Sequence, residues 1–320
     1  MADLRRDSPG LALFLLTAIS TVGFIDRIIM NVLVEPIRKE FGLSDTQIGL
    51  LVGLAFAVLN VALGLVVARI AERRDRVPLI ALGTFLWSLA TAACGMVANG
   101  VQLVLARIGV GVGEAVGLPA TASVISDYFP PQRRATAMSV LALAPPIGAL
   151  LGSAGGAWIA QHYGWREAFI AAAIPGGFLA LAAWLWVAEP LRGRHDAGSS
   201  DEVPPLGAVL DRFWRVPTAR HLLAGSAIAS MVGFGLNAFL AAMLARKFGF
   251  SLVEAGVTAG LVASFPSTVS VLAGGWLADR LGARRPSAYV LVPGLCLLLA
   301  APLYLLAITR PDATSLLVLL

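Results

Sequence analysis

Apolar stretches of about 20 residues recur along the whole chain, and this feature limits its possible folds more than any other. A helix of that length crosses the roughly 30 Å of hydrocarbon in a bilayer. Since 58% of the residues are apolar and 13% are charged, a soluble globule of 320 residues would lack a polar coat. The sequence therefore predicts an all-α, multi-pass membrane protein. The predicted spans, numbered first to ninth, are residues 11–34, 46–68, 78–97, 101–126, 136–160, 167–188, 221–244, 253–277 and 287–308, and a tenth begins near Thr314.

The beginning of the chain predicts an uncleaved first helix. Arg5 and Arg6 precede a long span without the small-residue cleavage site of a signal peptide. Cys94 and Cys296 both fall inside predicted spans, so we expect no structural disulfide.

Basic residues alternate between the two sides of the predicted membrane. Of the 24 Lys and Arg residues, sixteen lie in one set of alternate connections and six in the other, and only Arg27 and Arg107 lie within spans. The positive-inside rule places the amino terminus in the cytoplasm. Topology thus accounts for the net charge of +5, and we expect no nucleic-acid partner. We expect a monomer in the inner (plasma) membrane of a bacterium.

One long polar connection, residues 189–220, separates the sixth and seventh spans and is rich in Pro, Gly, Ser and charge. It predicts an N-terminal six-helix bundle (1–188), a cytoplasmic linker and a C-terminal bundle (221–320). Within the linker, we expect a short solvated surface helix rather than a specific membrane or partner site. Its apolar stripe would comprise Leu206, Val209, Leu210, Phe213 and Trp214.

The two predicted bundles are related by an internal repeat. "FGLSDTQIGLLVG" at 41–53 matches "FGFSLVEAGVTAG" at 248–260, about 207 positions later, and the same shift aligns Glu72 with Asp279. Such matches are typical of the parallel repeats in transporters.

Several motifs carry a family resemblance. "GGWLADRLGARR" at 274–285, with its counterpart "ARIAERRDR" at 68–76, resembles the loop signature of the major facilitator superfamily. "LARIGVGVGEAVGLPATASVISDYFPPQRRATAMSV" and "IDRIIMNVLVEPIRKEFGLSDTQIGLL" resemble its spinster-like branch. The resemblance covers essentially the whole chain. It implies two pseudo-symmetric helical bundles around a cavity lined by the first, fourth and seventh spans. Members of the family have twelve helices, so we expect the second bundle to be incomplete here, with about nine and a half helices present.

Asp26 and Arg27 lie side by side in the first span, where each charge costs about 2.5–3.5 kcal/mol near the bilayer centre. Adjacent helix residues point about 100° apart, so each needs a partner on another helix. Arg107 and Glu114 share one stripe of the fourth span at matching depths. We therefore expect the pairs Asp26–Arg107 and Arg27–Glu114.

These four charges suggest a coupling mechanism. A carboxylate near a cavity binds a proton when its arginine moves away, so we predict that Asp26 and Glu114 couple proton binding to conformational change. Arg27 and Arg107 would hold these acids or attract an anionic group of the cargo. The spinster-like resemblance implies the same roles. The structural alternative is that two ion pairs simply join helices.

Further polar residues are predicted to contact substrate. These are Asn31, one turn beyond Arg27, and Asn237, which the repeat aligns with Arg27. A cluster around Pro266 either lines the cavity or bonds its own backbone, as membrane Ser and Thr commonly do: Ser264, Ser267, Thr268 and Ser270.

Glycines at fourfold spacing predict close helix packing in the fourth and fifth spans. The glycines are Gly109, Gly113 and Gly117 in the fourth span, and Gly148, Gly152 and Gly156 after Pro145 and Pro146 in the fifth.

The two loop signatures predict a conformational gate. Acids and arginines there can cap helix ends and bridge neighbouring helices in one state of a cycle, the alternative being topological charge alone. Asp127, with Arg133 and Arg134 beyond it, would belong to the same layer. The predicted gate residues are Glu72, Arg73, Arg76, Asp279, Arg280 and Arg284.

No phosphate-binding loop and no metal-ligand spacing is present, so we predict neither an enzyme nor a metal or other cofactor. We predict a secondary transporter that works by alternating access and is driven by protons. The resemblance implies an amphiphilic, lipid-like substrate such as a lysophospholipid or sphingoid phosphate, with membrane lipids as further partners. The alternatives are a transporter of a small organic anion or drug, and a non-transporting receptor or lipid-binding scaffold.

Overall fold

The computed structural model describes residues 7–50, 64, 66, 69–195, 205–282 and 287–319, and most of them are helical. Eight helices in this part of the chain are long and apolar enough to cross a membrane. They confirm the predicted first span and the third to ninth, whereas the predicted second span lies largely outside the described residues. The eight run Pro9–Val32, Arg76–Cys94, Gly100–Tyr128, Thr136–His162, Trp165–Trp186, Pro217–Phe248, Leu252–Ser270 and Leu291–Thr309.

Several spans are interrupted or extended. The fourth consists of Gly100–Glu114 and Gly117–Tyr128. The fifth begins with Pro131–Leu141 and Ala144–Leu150, passes through a π-helical turn at Leu151–Gly155 after its two prolines, and ends with Gly156–His162. The eighth and ninth lie within Leu252–Gly282 and Ala288–Thr309. Shorter helices among the described residues are Val34–Phe41, Asp45–Gly49, Leu206–Arg215 and Ala313–Leu319, and residues 69–73 are also helical.

The internal repeat corresponds to the same turn in each half. Gly42 and Gly249 end a helix with φ of 64° and 71°, a left-handed conformation that favours glycine. Two residues later, Ser44 and Ser251 begin the next helix, and each exchanges hydrogen bonds with the residue three positions on. This arrangement is a capping box, so the repeated sequence corresponds to the same turn and helix start in each half.

Most of the arginines of the first half gather at one end of the bundle. Arg194 pairs with Asp7 at 2.9 Å, and Arg192 donates to the backbone carbonyl of Arg74 at 2.6 Å. The amino-terminal segment, residues 69–76 and the start of the linker therefore meet there. We call this the arginine-rich end, and the other the opposite end. The predicted linker helix is present, with Trp214 61% exposed, and the proposed domain boundaries stay a prediction.

Glycines bring the fifth span against both halves of the chain. A Cβ placed on Gly148 would lie 2.5 Å from Cβ of Phe24, and one on Gly152 would lie 2.9 Å from the carbonyl oxygen of Ile25. On another side, a Cβ on Gly256 of the eighth span would lie 2.6 Å from a backbone oxygen of the fifth. Close packing by the glycines of the fifth span is thus confirmed.

The first bundle has an extensive apolar core, in which Leu16, Ile29, Leu103 and Phe169 are fully or almost fully buried. Other large apolar side chains point outward, such as Phe178, which is 71% exposed. An apolar exterior around an apolar core is what a lipid-facing bundle requires.

Candidate functional site

Both predicted ion pairs are present between the first and fourth spans. The Nη1 of Arg107 lies 3.2 Å from Oδ2 of Asp26, and the Nε of Arg27 lies 2.6 Å from Oε2 of Glu114. Asp26, Arg107 and Glu114 are 1%, 4% and 6% exposed. Four charges that would be costly alone thus form two pairs inside the bundle.

Arg27 faces a more open region than its neighbour Asp26. Its side chain is 32% exposed, and its guanidinium lies over the Phe24 ring, 5.4 Å from the ring centroid. Phe24, Arg27 and Asn31 follow one another at helical spacing and are all half-buried. The first span therefore presents one half-open stripe that combines an aromatic ring, a cation and an amide.

One carboxylate oxygen of this cluster has no hydrogen-bond partner among the described residues. Oε1 of Glu114 is buried, and within the described part of the chain no donor reaches it. Buried polar atoms are normally hydrogen-bonded, so such an exception needs an explanation. A carboxylate oxygen without a donor has room for a proton.

Thr91 of the third span is a member of the cluster that the sequence analysis missed. Its Oγ1 donates to Oδ1 of Asp26 at 2.8 Å, and the residue is 1% exposed. Thr84, Ser88 and Thr91 lie on one face of the third span, and this stripe was the available signal. Nothing in the spacing distinguishes Thr91 from the other two.

Glycines of the fourth span bring it close to the third. A Cβ on Gly113 would lie 2.6 Å from the backbone nitrogen of Trp87, and one on Gly109 would lie 3.1 Å from Cβ of Ala90. Among the described residues, Gly117 has no such neighbour within 4 Å, so the predicted packing stripe is confirmed for two of its three members. This approach brings Thr91 and Arg107 to the same carboxylate.

The predicted substrate contacts remain predictions. Asn31 lies on the half-open stripe of the first span. The side-chain nitrogen of Asn237 donates to the carbonyl of Gly233 in its own helix at 2.9 Å. The hydroxyl of Ser264 donates to the carbonyl of Pro146 in the fifth span, and that of Thr268 donates to the carbonyl of Ser264 in its own helix. Both hydroxyls are therefore bonded to backbone carbonyls.

Arg76 is the centre of the arginine-rich end. It is 2% exposed and binds Asp127, while its Nε lies 2.8 Å from Oε1 of Glu189. A further nitrogen donates to the carbonyl of Pro190 at 3.1 Å. This network joins the third, fourth and sixth spans. Arg76 and Asp127 were predicted to share one layer, whereas Glu189, the acid that directly follows the sixth span, was not predicted.

Other predicted gate residues are arranged differently. Glu72 pairs with Arg69, three residues earlier, at 3.0 Å, and Arg73 is exposed. A pair within one turn does not bridge two helices, because both members move together. Arg280 is exposed, while Arg284 and the side chain of Asp279 lie outside what the structure describes.

Arg246 joins the two halves of the chain at the opposite end, a contact that the sequence analysis missed. Its guanidinium binds Glu35 and also donates hydrogen bonds to both carboxylate oxygens of Asp45, at 2.9 and 3.0 Å. The hydrogen bonds from Arg246 hold the pKa of Asp45 below its ordinary value. The next residue, Lys247, instead donates to the carbonyl of Arg310 in its own half.

Within the described residues, no group of three or more His, Cys, Asp or Glu side chains is placed to hold a metal ion. The chemistry available to the buried cluster is therefore ion pairing, hydrogen bonding and proton binding by its two carboxylates.

Comparison with known proteins places these features in a family. Residues 15–320 match the family model of the Major Facilitator Superfamily. A protein of Mycolicibacterium smegmatis, named an MFS-type efflux pump, is 35% identical over 86% of this chain and 63% of its own length. The probable sphingolipid transporter spinster homolog 3 of Arabidopsis thaliana is 25% identical over 82% of this chain and 56% of its own length. The chain thus spans less than two thirds of either relative.

A solved structure resembles almost all of the chain. The crystal structure of a bacterial homologue of the human lysosomal transporter Spinster, inward-facing and unoccupied, matches with a TM-score of 0.84 at 32% identity. The match covers 97% of this chain and 71% of that one. With the family match over residues 15–320, these likenesses show that the chain belongs to the major facilitator superfamily, a family of transporters rather than enzymes, with spinster-type proteins among its structural neighbours.

Proposed function

We propose that the protein is a proton-coupled secondary transporter of an amphiphilic, anionic lipid-like solute, working by alternating access. The observation that carries the proposal is the pair of buried ion pairs between the first and fourth spans, Asp26–Arg107 and Arg27–Glu114. Apolar side chains would pack there at lower cost, since a buried pair seldom regains its desolvation energy. Charges placed so expensively inside a membrane are normally functional.

Both acids bind the coupling proton in this proposal, but their carboxylate oxygens are hydrogen-bonded differently. Asp26 has donors on both oxygens, from Thr91 and Arg107, whereas Glu114 has one oxygen on Arg27 and one that no described residue reaches. A proton on Glu114 removes the charge that attracts Arg27. The freed guanidinium then meets either the anionic group of the solute or water.

The half-open stripe of the first span suits an amphiphile. Arg27 supplies a cation for an anionic head group, while the adjacent Phe24 offers apolar surface for a chain. Asn31 extends the stripe by one turn with an amide that can bind a phosphate or hydroxyl group. The relative named a probable sphingolipid transporter supports this class of substrate.

Alternating access needs one end closed while the other is open. Arg246 ties the two halves together at the opposite end, through Glu35 and Asp45. We assign the arginine-rich end to the cytoplasm by the positive-inside rule, in a bacterial inner membrane. The conformation is then inward-facing, in keeping with the likeness to an inward-facing spinster homologue.

Flux measurements test the proposal. Protein expressed from its complete open reading frame is reconstituted into vesicles, and labelled lysophospholipid and small organic anions are offered under an imposed pH gradient. We expect lysophospholipid flux to depend on the gradient, and Asp26→Asn and Glu114→Gln to abolish that dependence. Glu167→Gln, an exposed acid at the opposite end, is the matched control.

The other possible results of the flux measurement would each change a specific part of the proposal. Flux restricted to small anions would replace the substrate class, and binding without flux would favour a receptor or scaffold. Gradient-dependent flux that survives in both acid variants would remove the coupling role of the pair.

A further inference from the structure

The third span carries three buried hydroxyl groups on one face, and one of them is bonded unlike the others. Thr84 donates to the carbonyl of Ile80 at 2.7 Å, and Ser88 donates to the carbonyl of Thr84 at 2.8 Å. Bonding to the carbonyl four residues back is the common state of Ser and Thr in membrane helices. Thr91 instead donates to Oδ1 of Asp26 on the first span, at 2.8 Å.

The direction of that hydrogen bond depends on the charge of Asp26. An ionised carboxylate only accepts, so the Thr91 hydroxyl must donate to it. A protonated carboxyl can donate instead, and the hydroxyl then accepts while its own hydrogen is free to turn. The carbonyl of Trp87, four residues back, is the partner that helix geometry offers.

We propose that Thr91 is a positioning residue for the coupling step, holding ionised Asp26 against Arg107 and turning to the Trp87 carbonyl when Asp26 takes up a proton. The inference rests on the proposed function, in which Asp26 binds a transported proton. The hydroxyl would let the carboxyl group change charge without leaving a buried donor unpaired. Buried unpaired donors are costly, so this adaptability lowers the barrier between the two states.

The other charged groups around Asp26 are unchanged by a substitution at Thr91. Arg107 and Glu114 approach from the fourth span, Cys94 of the third span lies beside Arg107, and Arg27 directly follows Asp26 on the first span. The fifth to eighth spans also pack against the first, but their charged and histidine residues lie near the ends of these helices. These are Arg133, Arg134, His162, Arg166, Glu167, Arg220, His221, Arg246, Lys247, Glu254, Asp279 and Arg280. An altered pH profile can therefore be attributed to the lost hydroxyl.

The test compares Thr91→Val with Thr91→Ser and Thr84→Val. Valine keeps the shape of threonine without the hydroxyl, serine keeps the hydroxyl, and Thr84→Val removes an equally buried hydroxyl that serves its own helix. Flux of labelled lysophospholipid into vesicles is measured as a function of pH. Losing a donor to the carboxylate favours its protonated form, so we expect the half-maximal pH of Thr91→Val to rise by about one unit. Thr91→Ser and Thr84→Val should match the unmodified protein.

A second readout does not depend on flux. The infrared band of a protonated buried carboxyl group, assigned by its loss in Asp26→Asn, is compared between the unmodified protein, Thr91→Ala and Thr91→Ser. A band that moves in Thr91→Ala but not in Thr91→Ser supports the inference.

Failure of the inference differs from failure of the proposed function. If Asp26→Asn abolishes the pH dependence while Thr91→Val and Thr91→Ala behave like the unmodified protein in both readouts, Thr91 has no positioning role. If Asp26→Asn leaves the pH dependence intact, the coupling role of Asp26 itself is wrong.

Discussion

Arg246 places its guanidinium group against the carboxylate of Asp45, 201 positions earlier, with both nitrogen–oxygen distances at 2.9–3.0 Å. Bidentate pairs of this kind combine charge with directional hydrogen bonds. Because the two residues belong to different halves of the chain, the pair can exist only while the halves are together at the opposite end.

Arg246→Ala should therefore make the interior more accessible from the opposite end. In a Cys296→Ser background, a cysteine at Asn31 reports access to a membrane-impermeant thiol reagent. We expect faster labelling in Arg246→Ala than in the parent. Lys247→Ala is the control, because Lys247 binds carbonyls of its own half. Equal labelling in the two variants would contradict a closing role for Arg246.

Glu40 provides a pH-dependent contact at the same end. Hydrogen bonds from Arg166 and from Nε1 of Trp165, at 2.7–2.9 Å, lower the pKa of Glu40. A lowered pKa stabilises the fold above the ordinary carboxyl value, and this stability is lost as the pH falls through the folded value. Glu40→Gln should thus lower the melting temperature at neutral pH.

The difference caused by Glu40→Gln should shrink once the pH falls below about 4, near the ordinary glutamate pKa. Melting curves across this range provide the measurement. Asp211→Asn is the control, because Asp211 pairs with Arg215 on an exposed helix, where ion pairs contribute little. A pH-independent difference for Glu40→Gln would mean that packing, not charge, is responsible.

Arg76 should be the most sensitive position at the arginine-rich end. Arg76→Ala leaves Asp127 and Glu189 without their shared cation, and removal of one partner from a buried pair costs about 3–5 kcal/mol. We expect a marked loss of stability in thermal or denaturant unfolding. Arg73→Ala, at an exposed arginine of the same loop, should have little effect. Similar losses in both variants would argue against the network.

Gly113 should not tolerate a methyl group. Its Cβ would meet the backbone of Trp87 and Gly83 at 2.6 and 2.7 Å, so the third and fourth spans would have to separate. Overpacking of this kind costs about 1–3 kcal/mol. Gly117→Ala should be neutral or stabilising, because no described residue lies within 4 Å of its Cβ position. Comparing the unfolding of the two alanine variants checks the prediction, which fails if their stabilities are equal.

The sequence by itself determined the eight spans that the structure describes and the partners of the four membrane charges. A long apolar stretch predicts a helix without any tertiary information. In lipid, the backbone N–H and C=O groups of a spanning segment must hydrogen-bond to one another, because no water is present. Asp26, Arg27, Arg107 and Glu114 are so few, and so costly when unpaired, that depth and helical spacing left one consistent pairing. The repeated turns at Gly42 and Gly249 were likewise visible as repeated letters.

Only the tertiary structure decided which of the other polar groups meet. Thr91 looks like Thr84 in the sequence, and only the packing of the third span beside the first brings it to Asp26. Arg76 and Arg246 stand among many charges at the ends of the helices, where water makes alternative pairings almost equally favourable. Their partners depend on contacts between residues 51 to 211 positions apart, and local pattern carries no information at that range.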